Sequence, residues 1–312
     1  MAKQPLPTIA CVAEDRTEWF NRVFTLATSV RNLGGRTASA PLHALFVGSM
    51  DGLYEVPLAS LGVVSSIVEP WPCTKPQANK LRMLESPEVG PGGVLVALDC
   101  DVVVLRDLTD GLSTSAIRAT AAWESPMSPQ RWHQLLDDVD LRPAPGPWTM
   151  IGTGEQVPVP YVNSGVLFIP AEMVDPLRES WAGYIKRLDG ARPDRELVFL
   201  DQIALALALL DTGLPVEALG QEWNFHTKKD LETAAAPPPG PVHIAHYHRW
   251  VDQDGLPKPP RYAPLVPEIE RLNAIIAARR GMAPNPSAAA SLEAVVQRAA
   301  KMVQRGGRAV RR

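Results

Sequence analysis

The run Val94-Leu95-Val96-Ala97-Leu98-Asp99-Cys100-Asp101-Val102-Val103-Val104-Leu105-Arg106-Asp107-Leu108 constrains the fold more than any other stretch of the chain. It is rich in Val and Leu and follows Gly92-Gly93, the pattern of a strand buried on both faces of a mainly parallel sheet. On a strand, Asp99 and Asp101 are two apart and point to one side, while Cys100 points to the other. Two carboxylates side by side at the end of a buried strand repel each other and lose hydration, so they need a compensating cation. One reading is a divalent metal site. The plainer alternative is a strand end whose acids face solvent or pair with Arg106.

The flanking sequence has the rhythm of an α/β protein. Thr8 to Ala13 is a short apolar run, and Asp15-Arg16-Thr17-Glu18 opens a helix whose apolar positions, Trp19, Phe20, Val23, Phe24, Leu26, Ala27 and Val30, recur at helical spacing up to Gly34-Gly35. Strand patterns return at Leu42–Val47 and Val63–Val68, and Ala78–Leu84 reads as a helix leading into the aspartate strand. This alternation predicts a doubly wound sheet, in which ligands bind beyond the carboxyl ends of the strands. After Asp107 the pattern loosens. Ala119–Trp123 reads as a strand, and Pro126 to Pro160, with seven prolines, as an irregular insertion that serves as a lid or is mobile. Pro160 to Pro170 restores a strand, Ala171–Leu188 an amphipathic helix, and Asp201 is placed to cap the helix Ile203–Leu210. Val242 to His248 is a further strand.

Composition excludes several classes of function. At 312 residues, 46% hydrophobic and 21% charged, the chain is an ordinary globular one, and its net charge of −3 gives no general attraction to nucleic acid or to an anionic membrane. Its three cysteines, Cys11, Cys73 and Cys100, have no CxxC spacing, so neither a disulfide framework nor a zinc knuckle is expected. No apolar stretch is long enough to span a bilayer, which predicts a soluble, cytoplasmic protein. Ser287–Arg312 is different: an Ala-rich amphipathic segment carrying Arg298, Lys301, Arg305, Arg308, Arg311 and Arg312. Such a segment is either a solvated helix or tail, or a peripheral attachment to an anionic membrane face.

An Asp-x-Asp at a strand end suits a metal that must face a diphosphate, because hard carboxylate oxygens leave coordination positions for phosphate oxygens. His246 is the best third ligand. Strand parity puts His246 and His248 on one face and His243 on the other, so one metal held by all three is disfavoured. A histidine beside two aspartates tilts the ion from Mg2+ towards Mn2+.

The order of Asn79-Lys80-Leu81-Arg82-Met83-Leu84, the Asp99-Cys100-Asp101 run, Asn163-Ser164-Gly165-Val166, Asp201-Gln202, Trp223-Asn224 and His246-Tyr247 resembles the family 8 glycosyltransferases, which include glycogenin and bacterial lipopolysaccharide galactosyltransferases. The resemblance implies a GT-A fold: a Rossmann-like, doubly wound mixed sheet in one catalytic domain over about residues 1–262, with a donor half to about 110, an acceptor half from 111 and the Pro-rich insertion at 125–161. Residues 263–312 would form a helical, basic C-terminal extension. It also implies retaining transfer of a hexose from a nucleotide-sugar, usually a UDP-sugar, to a hydroxyl acceptor (a glycan, a lipid or a small molecule), with Mn2+ or Mg2+ as cofactor.

Carried over by position, the resemblance makes Asp99, Asp101 and His246 the metal ligands. Lys80 becomes a donor contact, Glu124 a ligand of sugar hydroxyls, Asn163, Ser164 and Gly165 donor-sugar contacts, and Asp201 and Gln202 the catalytic pair near the anomeric carbon. Ala13 and Asp15, at the end of the first strand, would face the base and ribose, and Cys100 would count among the donor-binding residues, with a small apolar residue facing the core as its plain reading. The family's lysine shortly after the histidine has no counterpart at that spacing, which leaves Arg249 and Lys258 as alternative partners of the departing diphosphate. A noncatalytic nucleotide-sugar or carbohydrate-binding protein of the same fold is the main rival. A sugar-phosphate nucleotidyltransferase is a weaker one, because Glu14-Asp15-Arg16 lacks the glycine-rich basic loop such enzymes carry.

Overall fold

The computed structural model describes residues 6–85, 88–191, 199–227 and 238–281. The basic segment 287–312 lies outside them. The strands are β1 (Thr8–Glu14), β2 (Leu42–Val47), β3 (Val63–Val68), β4 (Val94–Leu98), β5 (Val102–Val104), β6 (Ile117–Ala121), β7 (Trp148–Thr149), β8 (Gln156–Val157), β9 (Val162–Pro170), β10 (Val216–Leu219), β11 (Phe225–His226) and β12 (Ile244–His246). The α-helices are α1 (Thr17–Leu33), α2 (Glu55–Ser60), α3 (Pro129–Val139), α4 (Ala171–Ala191), α5 (Leu200–Thr212) and α6 (Val266–Arg279).

Seven strands form one mixed sheet in the order β10-β6-β9-β4-β1-β2-β3. β1 runs parallel to both β2 and β4, whereas β9 is antiparallel to β4 and to β6. The chain order therefore reverses at β1, with β2 on one side and β4 on the other, and the crevice beyond such a switch point is where doubly wound sheets bind ligands. Parity divides the core between the two faces. Ile9, Cys11 and Ala13 of β1 join Val94, Val96 and Leu98 of β4 under α1, and α6 adds Ile269, Leu272 and Ile276 to that same cluster. Ala10, Leu95 and Ala97 face the opposite cluster, which holds the apolar sides of α4 and α5.

The run from Val94 to Leu108 is not one strand. β4 ends at Leu98, residues 99–101 form a turn, and β5 continues in a separate three-stranded sheet of order β11-β12-β5. The two carboxylates thus lie at a junction between sheets, where their hydration and mutual repulsion oppose continued pairing. Arg106 does not neutralise them; it pairs with Glu268 of α6.

Three further expectations change. Pro76–Leu84 is a 3-10 helix rather than an α-helix. The Pro-rich insertion is not irregular throughout: Ser128 caps α3 by accepting from Arg131 N at 3.3 Å, Pro129 starts it, and Trp132, Leu135, Leu136 and Val139 bury one face. Asp201 is not the cap of α5, because Phe199 holds that position and Asp201 lies in the first turn.

Candidate active site

The cleft beyond the ends of β1 and β4 has a cavity volume of about 110 Å3. Ala13 and Glu14 line it from β1, Val47 from β2, Asn79 and Lys80 from the 3-10 helix, and Asp99 to Asp101 from the junction. Asp15 is not among the lining residues, and its carboxylate accepts from the Ser49 hydroxyl.

Lys80 ties the floor of this cleft together. Its Nζ donates to Asp99 Oδ2 at 3.0 Å and to Ser164 Oγ at 2.9 Å, and lies 3.1 Å from Asp201 Oδ2. Ser164 in turn donates to Asp201 Oδ2 at 2.6 Å. Burial would lower the affinity of the amine for its proton, but Asp99 and Asp201 outweigh it and raise the Lys80 pKa above its ordinary value. Four residues that are distant in sequence are thus held as one charged cluster, in which a side chain from the 3-10 helix meets the junction, β9 and the first turn of α5.

Gly165 sits where only glycine fits. An added Cβ would stand 2.5 Å from Asp99 Oδ2 and 2.9 Å from Asn163 Oδ1. Its N–H donates to Asn163 Oδ1 at 2.8 Å and its carbonyl accepts from Asp99 N at 2.8 Å, so the Asn-Ser-Gly start of β9 positions the first aspartate directly. Asp201 is further fixed from behind, where Trp181 Nε1 donates to its carbonyl oxygen at 2.9 Å. Beside it, Gln202 is buried; its Nε2 faces Tyr161 Oη at 3.5 Å, and its Oε1 has no hydrogen-bond partner.

On the other side of the junction, His246 Nε2 faces Asp101 Oδ1 at 3.1 Å and its Nδ1 faces Asn224 Oδ1 at 3.1 Å. An amide oxygen at Nδ1 places the ring proton there, which leaves the Nε2 lone pair directed at a carboxylate. Two acceptors at that separation need a proton or a cation between them. One ligand atom from each of Asp99, Asp101 and His246 lies within 4.8 Å of the others, so the donor set suits a hard-to-borderline divalent ion. The two acids differ in character: burial raises the pKa of Asp99, whereas at Asp101 burial is outweighed by His246, His248 and Arg22, which hold it below the usual carboxylate range.

Arg22 was not anticipated. Its guanidinium lies 3.6 Å from Asp101 Oδ2 and stacks over Trp19 at 4.6 Å. Nor was His226, two residues beyond the Trp223-Asn224 pair. The strand expected over Val242 to His248 is only Ile244–His246, so parity does not place His243, which precedes it and is stacked on Trp223 with centroids 4.0 Å apart. Glu124 is exposed, and Arg249 is exposed too, while Lys258 lies over the Trp250 ring at 5.1 Å. Cys100 is buried, with its thiol pKa pushed up by desolvation and by Asp101.

Residues 60–213 match the family model described as the Rhodobacterales glycosyltransferase domain. Among curated proteins, no sequence is significantly similar. The fold is similar to that of the galactosyltransferase LgtC, solved with donor and acceptor sugar analogues, at a TM-score of 0.54 and 15% identity over 87% of this chain and 95% of that one. An active-site variant of LgtC gives a TM-score of 0.57 at 16% identity with the same coverage. GlyE from Streptococcus pneumoniae TIGR4 gives 0.51 at 15% identity, covering 88% of this chain and 63% of that one. At these identities the structural likeness establishes the fold. Residues 60–213 carry a glycosyltransferase domain, and the chain has the GT-A fold of the glycosyltransferases it is similar to.

Proposed function

We propose that the chain is a retaining glycosyltransferase that moves a hexose from a nucleotide-sugar, with UDP-sugars the first candidates, to a hydroxyl acceptor, using a divalent cation held by Asp99, Asp101 and His246. The observation that supports it most is the convergence, at the switch-point cleft, of Lys80, Ser164 and Asp201 on Asp99, next to Asp101 and His246. A bound Mn2+ or Mg2+ would supply Lewis-acid stabilisation of diphosphate charge.

The remaining roles belong to side chains. Lys80 brings a fixed positive charge to the cleft wall, where it holds Asp99 in place and meets donor oxygens. Asn163, Ser164 and Gly165 form a floor against which a sugar ring lies, and Glu124 contacts its hydroxyls. Ala13, at the end of β1, takes the nucleoside end, with Cys100 lining the same cleft between Asp99 and Asp101. In the transfer the bond from the anomeric carbon to the diphosphate oxygen breaks, and its electron pair stays on that oxygen. The acceptor hydroxyl oxygen then bonds the anomeric carbon from the same face, and its proton passes to the departing diphosphate. Positive charge develops on the sugar, and the unused Oε1 of buried Gln202, with the Asp201 carboxylate beside it, is suited to stabilise it. Arg249 or Lys258 neutralises the leaving group.

A panel of UDP-, GDP- and dTDP-sugars, each with Mn2+ and with chelator, tests the reading by thermal shift and slow donor hydrolysis. The expected result is stabilisation by one nucleotide class that requires metal. If no nucleotide-sugar stabilises the protein under any condition, donor binding is refuted. Asp101→Ala should reduce Mn2+-dependent hydrolysis by about 100-fold or more; wild-type activity in that variant would refute the metal assignment.

A further inference from the structure

The imidazoles around His246 outnumber those that the carboxylate centre uses. β11 and β12 pair in parallel with His226 opposite His246, so both rings project from the same face of the small sheet. His248 follows two residues later with φ of 51°, in the left-handed region that histidine reaches more readily than most residues. That backbone turn lays its ring over His246, with centroids 3.9 Å apart. One nitrogen from each of His226, His246 and His248 lies within 4.8 Å of the other two. His226 Nδ1 and His248 Nε2 are 3.1 Å apart. Two nitrogens that share a tetrahedral cation, each about 2.0–2.1 Å from it, stand roughly 3.3 Å apart, so this pair is already near ligating separation.

The chemistry of this set differs from that of its neighbour. Three imidazoles without a carboxylate favour borderline cations such as Zn2+, Co2+ or Ni2+, whereas two aspartates and one imidazole suit Mn2+ or Mg2+. We infer that His226, His246 and His248 form a second cation position, which takes a borderline divalent cation such as Zn2+ and shares His246 with the carboxylate centre. Asn224 Oδ1 occupies Nδ1 of His246, so only Nε2 is open to a metal, and that atom serves one cation at a time. Zinc at the histidine position therefore withdraws a ligand from the aspartates, and the two cations antagonise each other. The antagonism rests on the proposed role of His246 with Asp99 and Asp101; the histidine position stands on its own geometry.

The test is direct metal binding to the full-length, metal-free protein, with zinc chloride and manganese chloride as probes in separate calorimetric titrations, and with Co2+ as a spectroscopic stand-in for zinc. His226→Gln and His248→Gln should each weaken zinc by about 10-fold or more and remove the visible absorption of four-coordinate Co2+, while Mn2+ affinity changes by less than about 3-fold. Asp99→Asn should do the reverse. In the wild type, zinc should lower the apparent Mn2+ affinity. Each variant is first matched to the wild type by circular dichroism and melting, and His226→Asn and His248→Asn serve where a Gln variant fails to fold. Zinc binding unchanged in the variants of both histidines overturns the inference. So does a fall in Mn2+ affinity that tracks zinc in both, which would mean one mixed centre. Failure of the glycosyltransferase reading would appear separately, as absence of nucleotide-sugar binding with zinc binding intact.

Discussion

Lys80 and Gly165 carry more of the site than their size suggests. Lys80 is the one cation that touches both Asp99 and Asp201 among the described residues. Its raised pKa means that its contribution is present at every pH below the ordinary lysine value of about 10.4 and is lost only as pH rises through the higher folded value. Lys80→Met leaves buried Asp201 and half-buried Asp99 without their partner, and should cost about 2–4 kcal/mol of stability at pH 7 by urea titration. A loss below about 1 kcal/mol would show that water reaches the cluster and screens it. Gly165→Ala acts by displacement instead. A methyl group 2.5 Å from Asp99 Oδ2 must push that carboxylate aside. The expected signature is a stability loss of only about 1–3 kcal/mol, with Mn2+ affinity reduced about 10-fold in calorimetry.

At the scale of elements, two joints decide where the site residues stand. Asp107, beyond β5, accepts from Thr109 N at 2.9 Å, Arg36 N at 2.8 Å and the Thr37 hydroxyl at 3.0 Å, and so ties β5 to the turn that follows α1. Burial would raise its pKa, but these bonds prevail and lower it. A depressed carboxylate stabilises above its unfolded pKa of about 3.9, and the stabilisation is lost as pH falls through the lower folded value. Asp107→Asn should thus cost about 1 kcal/mol at pH 7, once solvent screening is allowed for, and the gap to the wild type should close below about pH 4 in melts followed across pH. In α3, Trp132 is fully buried, packs tilted against Tyr161 with ring centroids 5.4 Å apart and donates to Ser125 Oγ at 2.9 Å. Trp132→Ala should cost about 3–5 kcal/mol by urea titration, although the residue touches no part of the cleft. A smaller loss would mean that the insertion packs loosely.

Elements whose signal is local were legible from sequence. Leu42–Val47 and Val63–Val68 run between clear turn residues, and both strands have those bounds. α3 carried the i, i+3, i+4, i+7 spacing of Trp132, Leu135, Leu136 and Val139 behind a Ser-Pro start, but the prolines on either side masked it. The break at 99–101 was not legible, because the apolar runs on both sides have one period and nothing local says that they join different sheets. Asp99, Asp101 and His246 do converge, yet the junction brings them together rather than strand parity. Asp201 read as a cap because its partner, Lys80, lies 121 residues away and pairs only once the sheet has formed. His226 was missed for the same reason: its meaning comes from the register of β11 against β12.

The whole molecule joins two sheets through the proposed metal centre. Asp99 follows β4 of the seven-stranded sheet, Asp101 leads into β5 of the three-stranded one, and His246 ends β12 beside it. A cation held by all three would cross-link the two sheets at the junction where backbone pairing stops. Such a ligand binds the folded chain and not the unfolded one, because no unfolded conformation assembles residues so far apart in sequence. Mn2+ at about 100 times its Kd should then stabilise the protein by about 2.7 kcal/mol. For a domain of this size that corresponds to a rise of roughly 4–5 °C in Tm, reversed by chelator. Asp101→Ala should remove the rise, because the remaining pair, Asp99 and His246, lies on opposite sides of the junction. His226→Gln should keep it, because His226 belongs to the small sheet alone. Differential scanning calorimetry of the three proteins, with Mn2+ and with chelator, separates these outcomes; a Tm rise of equal size in Asp101→Ala would mean that manganese binds elsewhere and that the two sheets are held together by packing alone.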